Sequence, residues 1–113
     1  MKKIDNKKED MRGKVLKAAD LVAYDKGAVV SRIIIEKENC SVSVFSFDKG
    51  QGLSEHTSPF DAMVQVLDGE AEITISGKPR KVNAGEFIIL PANKPHALKA
   101  VEKFKMALVM LRS

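Results

Sequence analysis

The sequence predicts an all-β domain, a sandwich or barrel of short strands. From residue 29 onwards, short apolar or alternating runs follow one another closely, with Gly, Pro, Asn and Asp between them. Asp68–Gly69 stands between two alternating runs, and this pair favours a hairpin because both turn positions need positive φ. Only residues 14–24 have apolar spacing that suggests a helix. That spacing is weak, so we expect a short helical turn or an extended arm there.

The first four strands are predicted between residues 29 and 76. Residues 29–36 are rich in β-branched side chains, and residues 40–47 alternate small polar with apolar side chains, as a half-buried strand does. A glycine-rich break at 48–52 ends the second strand. Residues 62–67 and 70–76 form the two arms of the predicted hairpin. In the second arm one face carries Ala71, Ile73 and Ile75, and the other carries Glu70, Glu72 and Thr74.

The remaining strands are short and are separated by turn residues. They are predicted, in order, at 80–82, 87–90, 96–100 and 104–111. Residues 77–79 turn the chain into the first of them, and Pro91 stops the second. The segment from Pro91 to Pro95 forms a rigid loop before the third.

Length and composition indicate a single domain with a basic leader. The chain has 113 residues, 44% of them hydrophobic, which is enough to bury a core without disulfides or a structural metal. The one cysteine, Cys40, fits a reducing cytoplasm. Residues 1–17 hold seven bases against three acids, which accounts for the whole net charge of +4. We therefore predict a basic, partly flexible N-terminal arm at residues 1–27 and a barrel domain at residues 28–113.

The basic arm does not by itself indicate a nucleic-acid or membrane partner. Its lysines are not interleaved with the aromatic side chains on which single-stranded nucleic acids stack. No stretch approaches the roughly 20 apolar residues of a membrane helix, and no apolar signal-peptide core follows the basic N-terminus. We expect a cytoplasmic protein that contacts neither nucleic acid nor membrane.

Two stretches resemble the paired motifs of the cupin family. The first family motif runs from a glycine through His-x-His and a glutamate to a closing glycine. Gly50 and His56 match at the family separation, and Gly69 matches the closing glycine. Ser58 stands at the second histidine and Ala62 at the glutamate. The first motif is therefore present with two of its three ligand positions replaced.

The second family motif has glycine, proline, glycine, histidine and asparagine at set separations. Gly85, Pro91 and His96 match, while Asn93 replaces the second glycine and Ala100 replaces the asparagine. The change at Asn93 is mild, because asparagine tolerates left-handed turn geometry better than most side chains.

The resemblance covers residues 28–111 and implies a double-stranded β-helix, or jelly-roll, cupin barrel. It also implies a site at the barrel mouth, where family members hold Fe, Mn, Ni, Cu or Zn with three histidines and a carboxylate. Enzymes of the family act as oxygenases, isomerases or decarboxylases on small oxygenated compounds, and other members are sensor-like binding modules. The reduced ligand set leaves open whether this chain is an enzyme.

The chain contains two histidines, His56 and His96, and both fall on motif ligand positions. We predict that the fold brings them together at the barrel mouth, where they bind a small molecule with Ser58 and Ala62. Two imidazoles alone hold a divalent transition metal weakly, since such metals take three or four donors. Asp61 is a candidate third ligand if a local bulge turns it inward, whereas on a regular strand it faces away from the interior.

Without a metal, the histidines would be satisfied by water or would act as an acid–base pair that titrates near neutral pH. No orienting group accompanies Ser58, which argues against a serine nucleophile. We predict small-molecule binding around His56 and His96, with or without a weakly held divalent metal. The alternative is a metal-free, non-catalytic binding module.

Apolar residues on the two faces of the predicted strands indicate a pocket on the inner face and an interface on the outer face. The residues expected to line the interior are Ala62, Val64, Val66, Ile73, Phe87 and Ile89, or their neighbours. Met63 and Leu67 have the opposite parity, and an apolar outer sheet face needs a cover. We therefore expect a homodimer to which the N-terminal arm contributes.

Overall fold

The computed structural model describes residues 9–113 and, as a backbone strand, residues 2–5. Within this part of the chain, nine β-strands and one 3₁₀ turn at Ala18–Leu21 account for the regular structure. The strands are β1 Lys2–Asp5, β2 Val29–Lys37, β3 Cys40–Phe47, β4 Gly52–His56, β5 Ala62–Ile75, β6 Lys78–Asn83, β7 Phe87–Leu90, β8 His96–Lys99 and β9 Phe104–Leu111.

The strands form one curled sheet that closes into a double-stranded β-helix. Neighbouring strands follow the order β1-β2-β3-β9-β5-β8-β4, and β6 and β7 also pair with β5. The pairs are antiparallel except for β1 with β2. The first half of β5 pairs with β7 and β9 and its second half with β6 and β8, so β5 belongs to both layers. The predicted all-β jelly-roll barrel is confirmed.

The prediction of a hairpin at Asp68–Gly69 is wrong. Both alternating runs belong to β5, which continues through this pair with a β-bulge at Leu67 opposite β9. Gly69 has a φ of +73°, and a Cβ there would overlap the carbonyl oxygen of Lys103. The glycine thus allows a close backbone approach inside a bent strand. The hairpin lies at Ser76–Gly77, where φ is 50° and 79° and β5 turns into β6.

The core lies between the two layers and follows the predicted alternation along β5. Val64, Val66 and Ile73 have no exposed surface. The ring of Phe47 stacks on Phe104 with centroids 4.5 Å apart, and both rings are fully buried. Burial of such large side chains contributes roughly 2 kcal/mol each to the free energy of unfolding.

Two residues expected in the interior lie outside it. Phe87 is 62% exposed and Ile89 is 45% exposed. The β7 residues that pair with the inward-facing Ala62 and Val64 of β5 are Leu90 and Ile88, which are the sequence neighbours of Phe87 and Ile89. The run 87–90 is apolar on both faces, so its sequence alone does not reveal which parity faces the core.

The N-terminal segment, residues 9–27, lies across the outer face of the sheet. The Ser46 hydroxyl donates to the Ala23 carbonyl at 2.8 Å, and the Lys105 ammonium donates to the Ala19 carbonyl at 2.7 Å. Its 3₁₀ turn is the first of the two alternatives expected for residues 14–24. Residues 1 and 6–8 of the predicted flexible arm lie outside the described residues, so its flexibility stays a prediction. No helix in the described residues is long and apolar enough to cross a membrane.

Candidate functional site

The two histidines face each other across neighbouring strands. His56 ends β4, His96 begins β8, and the two are direct register partners. The pairing shifts by one residue between Leu53 and His56, which marks a β-bulge in β4. His96 is buried, with 5% of its surface exposed, while His56 lies exposed at the rim. The pair therefore spans from the solvent edge into the barrel interior.

The hydrogen bonds of the two imidazoles determine which nitrogens carry protons. Nδ1 of His56 lies 2.8 Å from the Ser54 carbonyl, and Nδ1 of His96 lies 3.2 Å from the Lys94 carbonyl. A carbonyl oxygen only accepts, so each Nδ1 donates and, in the neutral ring, each Nε2 keeps a bare lone pair. The two Nε2 atoms are 3.2 Å apart. Two lone pairs at this distance repel unless a proton or another electron-pair acceptor lies between them.

The surroundings favour the neutral form of His96. Burial lowers the pKa of His96, and a charge on His56 would lower it further; the Lys94 carbonyl acts in the opposite direction. When both rings are neutral, the site presents two convergent hydrogen-bond acceptors.

The four residues predicted for the site line one cavity of about 60 Å³. Its polar wall carries His56, His96 and Ser58, and the rest is apolar. The apolar lining residues are Leu53, Ala62, Val64, Leu90, Leu98, Met106, Leu108 and Met110. The structure thus brings the predicted residues together, and their role in ligand binding stays a prediction.

Most of the apolar wall of the cavity was not predicted from the sequence. Met106, Leu108 and Met110 of β9 point inward together, because each pairs with an inward residue of β5. The sequence of residues 104–111 predicts a strand. It does not show which of the side chains face the interior, because Ala107 and Val109, which stand between these three residues, are apolar as well.

Asp61, the candidate third ligand, is not part of the site. Its carboxylate accepts a hydrogen bond from the backbone N–H of Ala92 at 2.8 Å, and its side chain is exposed. It is also absent from the cavity wall. The Asp61 carboxylate thus caps the backbone of the loop that follows β7. It points towards that loop, and no bulge turns it towards the imidazoles.

The donor set fits a weak two-imidazole metal site and does not fit a three-ligand centre. Across residues 9–113, the structure holds no group of three or more His, Cys, Asp or Glu side chains that could bind a metal ion. Ser58 is beside the histidines, but its hydroxyl oxygen accepts the N–H of Phe60 at 3.2 Å. Divalent transition metals in proteins usually have at least three protein donors.

The loop between β7 and β8 joins the two motif segments. Asn93 has the left-handed φ of 64° that was expected where the family has glycine. Its N–H donates to the carbonyl of Ser58 at 2.7 Å. This bond ties the loop before His96 to the segment after His56 and so helps to hold the two rings in register.

Comparisons with known proteins identify the family and the fold. The family model for the cupin domain matches residues 43–112. The crystal structure of a conserved protein of unknown function from Streptococcus pyogenes is similar over 100% of this chain and 96% of that chain, with 41% identity and a TM-score of 0.85. A cupin 2 conserved barrel domain protein from Leptotrichia buccalis is 45% identical over 82% of this chain and 45% of that chain, with a TM-score of 0.80.

One curated protein is also similar over part of the chain. Dimethylsulfoniopropionate lyase DddQ from Ruegeria pomeroyi is 34% identical over 58 residues. The match covers 50% of this chain and 29% of the lyase. The match therefore spans less than a third of the length of the lyase.

Proposed function

This chain belongs to the cupin domain family, and on that premise we propose that it binds a small organic molecule in the cavity beneath His56 and His96. The observation that carries the proposal is the pair of Nε2 atoms, 3.2 Å apart, at the polar wall of an otherwise apolar cavity. Ligand sites usually combine an apolar lining with a few convergent polar groups.

The polar atoms favour a ligand that donates a proton. Each Nδ1 is engaged by a carbonyl, so each Nε2 can only accept while the rings are neutral. The hydroxyl oxygen of Ser58 accepts the Phe60 N–H, which leaves its own proton to donate into the cavity. An enol matches this pattern, as does a carboxylate that binds together with one proton from solution, because each then offers one donor and one acceptor side by side.

The cavity limits the size of the bound group. At about 60 Å³ it is far smaller than the roughly 300–1,000 Å³ of common ligand pockets. We propose that it takes a very small molecule or the end of a larger one. The apolar wall would then receive a short hydrocarbon portion of the ligand.

Chemical-shift mapping of metal-free protein tests this proposal. The probes are small carboxylic acids, hydroxy acids and their methyl esters, together with dimethylsulfoniopropionate, the compound in the name of the lyase relative. We expect acids to shift the Nε2 resonances of both histidines, because a carboxylate can bind together with a proton, and methyl esters, whose carboxyl group cannot take up that proton, to do so weakly.

Two variants test whether the effect of the acids depends on His56. His56→Ala should remove the effect of the acids, while Glu55→Gln, at the exposed neighbouring position, should preserve it. If every probe leaves the histidine resonances unmoved, or if the shifts survive in His56→Ala, the proposed site is wrong.

A divalent metal, where present, would be held by the same two imidazoles. We expect the metal content of untagged protein to fall to background after dialysis against EDTA, because two donors bind weakly. A near-stoichiometric metal that survives EDTA and disappears in His96→Ala would contradict the two-donor assignment.

A further inference from the structure

Arg112 lies at the mouth of the cavity, over the inner face of the sheet. Its Nη2 donates to the Ser41 hydroxyl at 3.0 Å. Ser41 is buried, with 5% of its surface exposed, and it pairs in register with Met110, which lines the cavity. Directly opposite residues of an antiparallel pair have side chains on the same face, about 5 Å apart. The guanidinium of Arg112 is therefore one strand away from the cavity wall.

The same end of the barrel holds the two histidines. Met110 pairs with Ala62, the first residue of β5, and both line the cavity together with His56 and His96. Arg112 directly follows β9, which runs antiparallel to β5 and therefore ends where β5 begins. Two kinds of polar group thus occupy the mouth. The neutral imidazoles offer hydrogen-bond acceptors, and the guanidinium offers donors and a permanent positive charge.

Backbone contacts hold Arg112 in place. Its N–H donates to the Asn39 carbonyl at 2.8 Å, and its Nη1 donates to the Lys37 carbonyl at 3.2 Å. Its side chain is 31% exposed, so the guanidinium is held at the rim and remains accessible. An arginine presents paired N–H groups in one plane, which match the two oxygens of a carboxylate. A guanidinium fixed in this way is suited to binding an anionic ligand.

The ion pair between Arg112 and Glu36 is weak. The Nη2 of Arg112 is 3.5 Å from Oε2 of Glu36, and the Glu36 side chain is 56% exposed. Exposed ion pairs of this kind contribute little to stability, because water competes for both charges. A carboxylate of a ligand therefore replaces Glu36 at the guanidinium with little loss.

We propose that Arg112 binds a carboxylate of the ligand, so that the ligand is an acid with a second proton-donating group, such as a dicarboxylic acid or an enolisable oxo acid. This inference rests on the proposed function, because the second group is the one that meets the two Nε2 atoms. The carboxylate pairs with the guanidinium at the rim, while the enol or protonated carboxyl group donates to the imidazoles. The apolar lining, which includes Leu53 and Met110, contacts the carbon chain that joins them.

Chemical-shift titrations of metal-free protein with dicarboxylates and with monocarboxylates of equal carbon number test the proposal. Succinate is compared with butyrate, and glutarate with pentanoate, through the Nε2 resonances of His56 and His96. We expect each dicarboxylate to bind wild type about 10 times more tightly than its monocarboxylate, because it adds a charge-assisted contact. Arg112→Gln should remove this preference. Arg112→Lys keeps the charge but not the planar fork, so it should remove part of the preference.

Charge controls separate a direct contact with Arg112 from the general field of the mouth. Lys94→Gln removes an exposed cation two positions before His96, and the preference for dicarboxylates should persist in it. Glu36→Gln removes the internal partner of Arg112 and should tighten dicarboxylate binding about 2–5-fold. Glu38→Gln, in the turn that follows β2, removes the same charge without that contact and should leave the affinity unchanged.

Circular dichroism shows whether each variant is folded. A preference that is lost in folded Arg112→Gln and kept in Lys94→Gln supports the assignment. Equal affinity of wild type for both classes of acid overturns it, as does a preference that survives Arg112→Gln or falls equally in Lys94→Gln. If Arg112→Gln does not fold, Glu36→Gln decides, and no tightening beyond that of Glu38→Gln overturns the assignment. In each of these cases the proposed function stands as long as His56→Ala abolishes binding, so the two failures are distinguishable.

Discussion

The imidazole rings of His56 and His96 are each held by a hydrogen bond to a nearby backbone carbonyl. Each Nδ1 donates to the carbonyl two residues earlier, that of Ser54 in the β4 bulge and that of Lys94 in the loop before β8. These bonds fix the tautomers and turn both Nε2 atoms towards one point. The proton-accepting character of the site thus depends on two backbone carbonyls as much as on the histidines.

The lowered pKa of His96 predicts a pH dependence of stability. The cause is first burial and then the neighbouring His56. Between the unfolded value of 6.5 and the lower folded pKa, the unfolded chain binds more protons than the folded protein does. The contribution of His96 to the free energy of unfolding therefore falls as the pH drops below 6.5, and it is constant above that value.

Urea unfolding at pH 7, 6 and 5 in EDTA measures this effect. Wild type should lose more stability over this range than His96→Gln, which lacks the titrating group. Parallel losses in the two proteins would show that His96 does not carry a lowered pKa.

β5 is the element that joins the two layers of the barrel. Its 14 residues pass from one layer to the other through the bulge at Leu67 and the left-handed Gly69. A bulge increases the local twist and bends the strand, which allows one continuous strand to serve both sheets. The cavity depends on this bend, because Ala62 and Val64 lie in the half of β5 before it.

A pair of glycine substitutions tests the close approach in β5. Gly69→Ala should lower the free energy of unfolding by about 3 kcal/mol, because it adds both a positive-φ penalty and an overlap with the Lys103 carbonyl. Gly77→Ala has a similar φ of +79° and nothing within 4 Å, so it should cost only about 1 kcal/mol. Equal losses in the two variants, measured by urea unfolding, would remove the argument for a required backbone contact.

In the molecule as a whole, the N-terminal segment, residues 9–27, packs against the barrel. Side chains of the outer sheet face anchor residues 9–27 through backbone carbonyls, and Tyr24 donates to the Asp68 carboxylate beside the bend in β5. The ammonium groups of Lys103 and Lys105 also lie over the Tyr24 ring, 4.7 Å and 5.0 Å from its centroid. Burial, and then the hydrogen bond to Asp68, raise the pKa of Tyr24, so its hydroxyl stays a donor.

Loss of one anchor should loosen the segment without breaking the barrel. Ser46→Ala leaves the Ala23 carbonyl without its donor and should cost about 1–2 kcal/mol. It should also speed proteolysis within residues 9–27, detected by mass spectrometry of the fragments. Ser43→Ala, on the same strand and half-buried, is the control and should be nearly neutral. Unchanged cleavage in Ser46→Ala would show that the anchor contributes little.

Alternation, turn residues and motif spacing were sufficient to predict most of the strands, the barrel and the convergence of the histidines, but not the strands β1 and β4. The strands at 40–47, 87–90 and 104–111 follow from alternation and flanking turn residues, which are local properties of the chain. The spacing of glycines, Pro91 and the two histidines carried the family resemblance, and with it the fold. Asn93 was expected in left-handed geometry on the same ground, and it adopts that geometry.

The partner of each strand, and the direction in which its residues face, depend on contacts between distant parts of the chain. Asp68–Gly69 satisfies the local rules for a hairpin, yet β5 runs through it, because β9 on one side and β6 and β8 on the other pair with its two halves. Phe87 and Ile89 face outward because pairing with β5 sets the parity of a strand that is apolar on both faces. The Asp61 carboxylate caps the loop at Ala92, a contact across 31 positions of sequence. Pairing, parity and such distant contacts depend on residues far apart in the chain, so no local pattern specifies them.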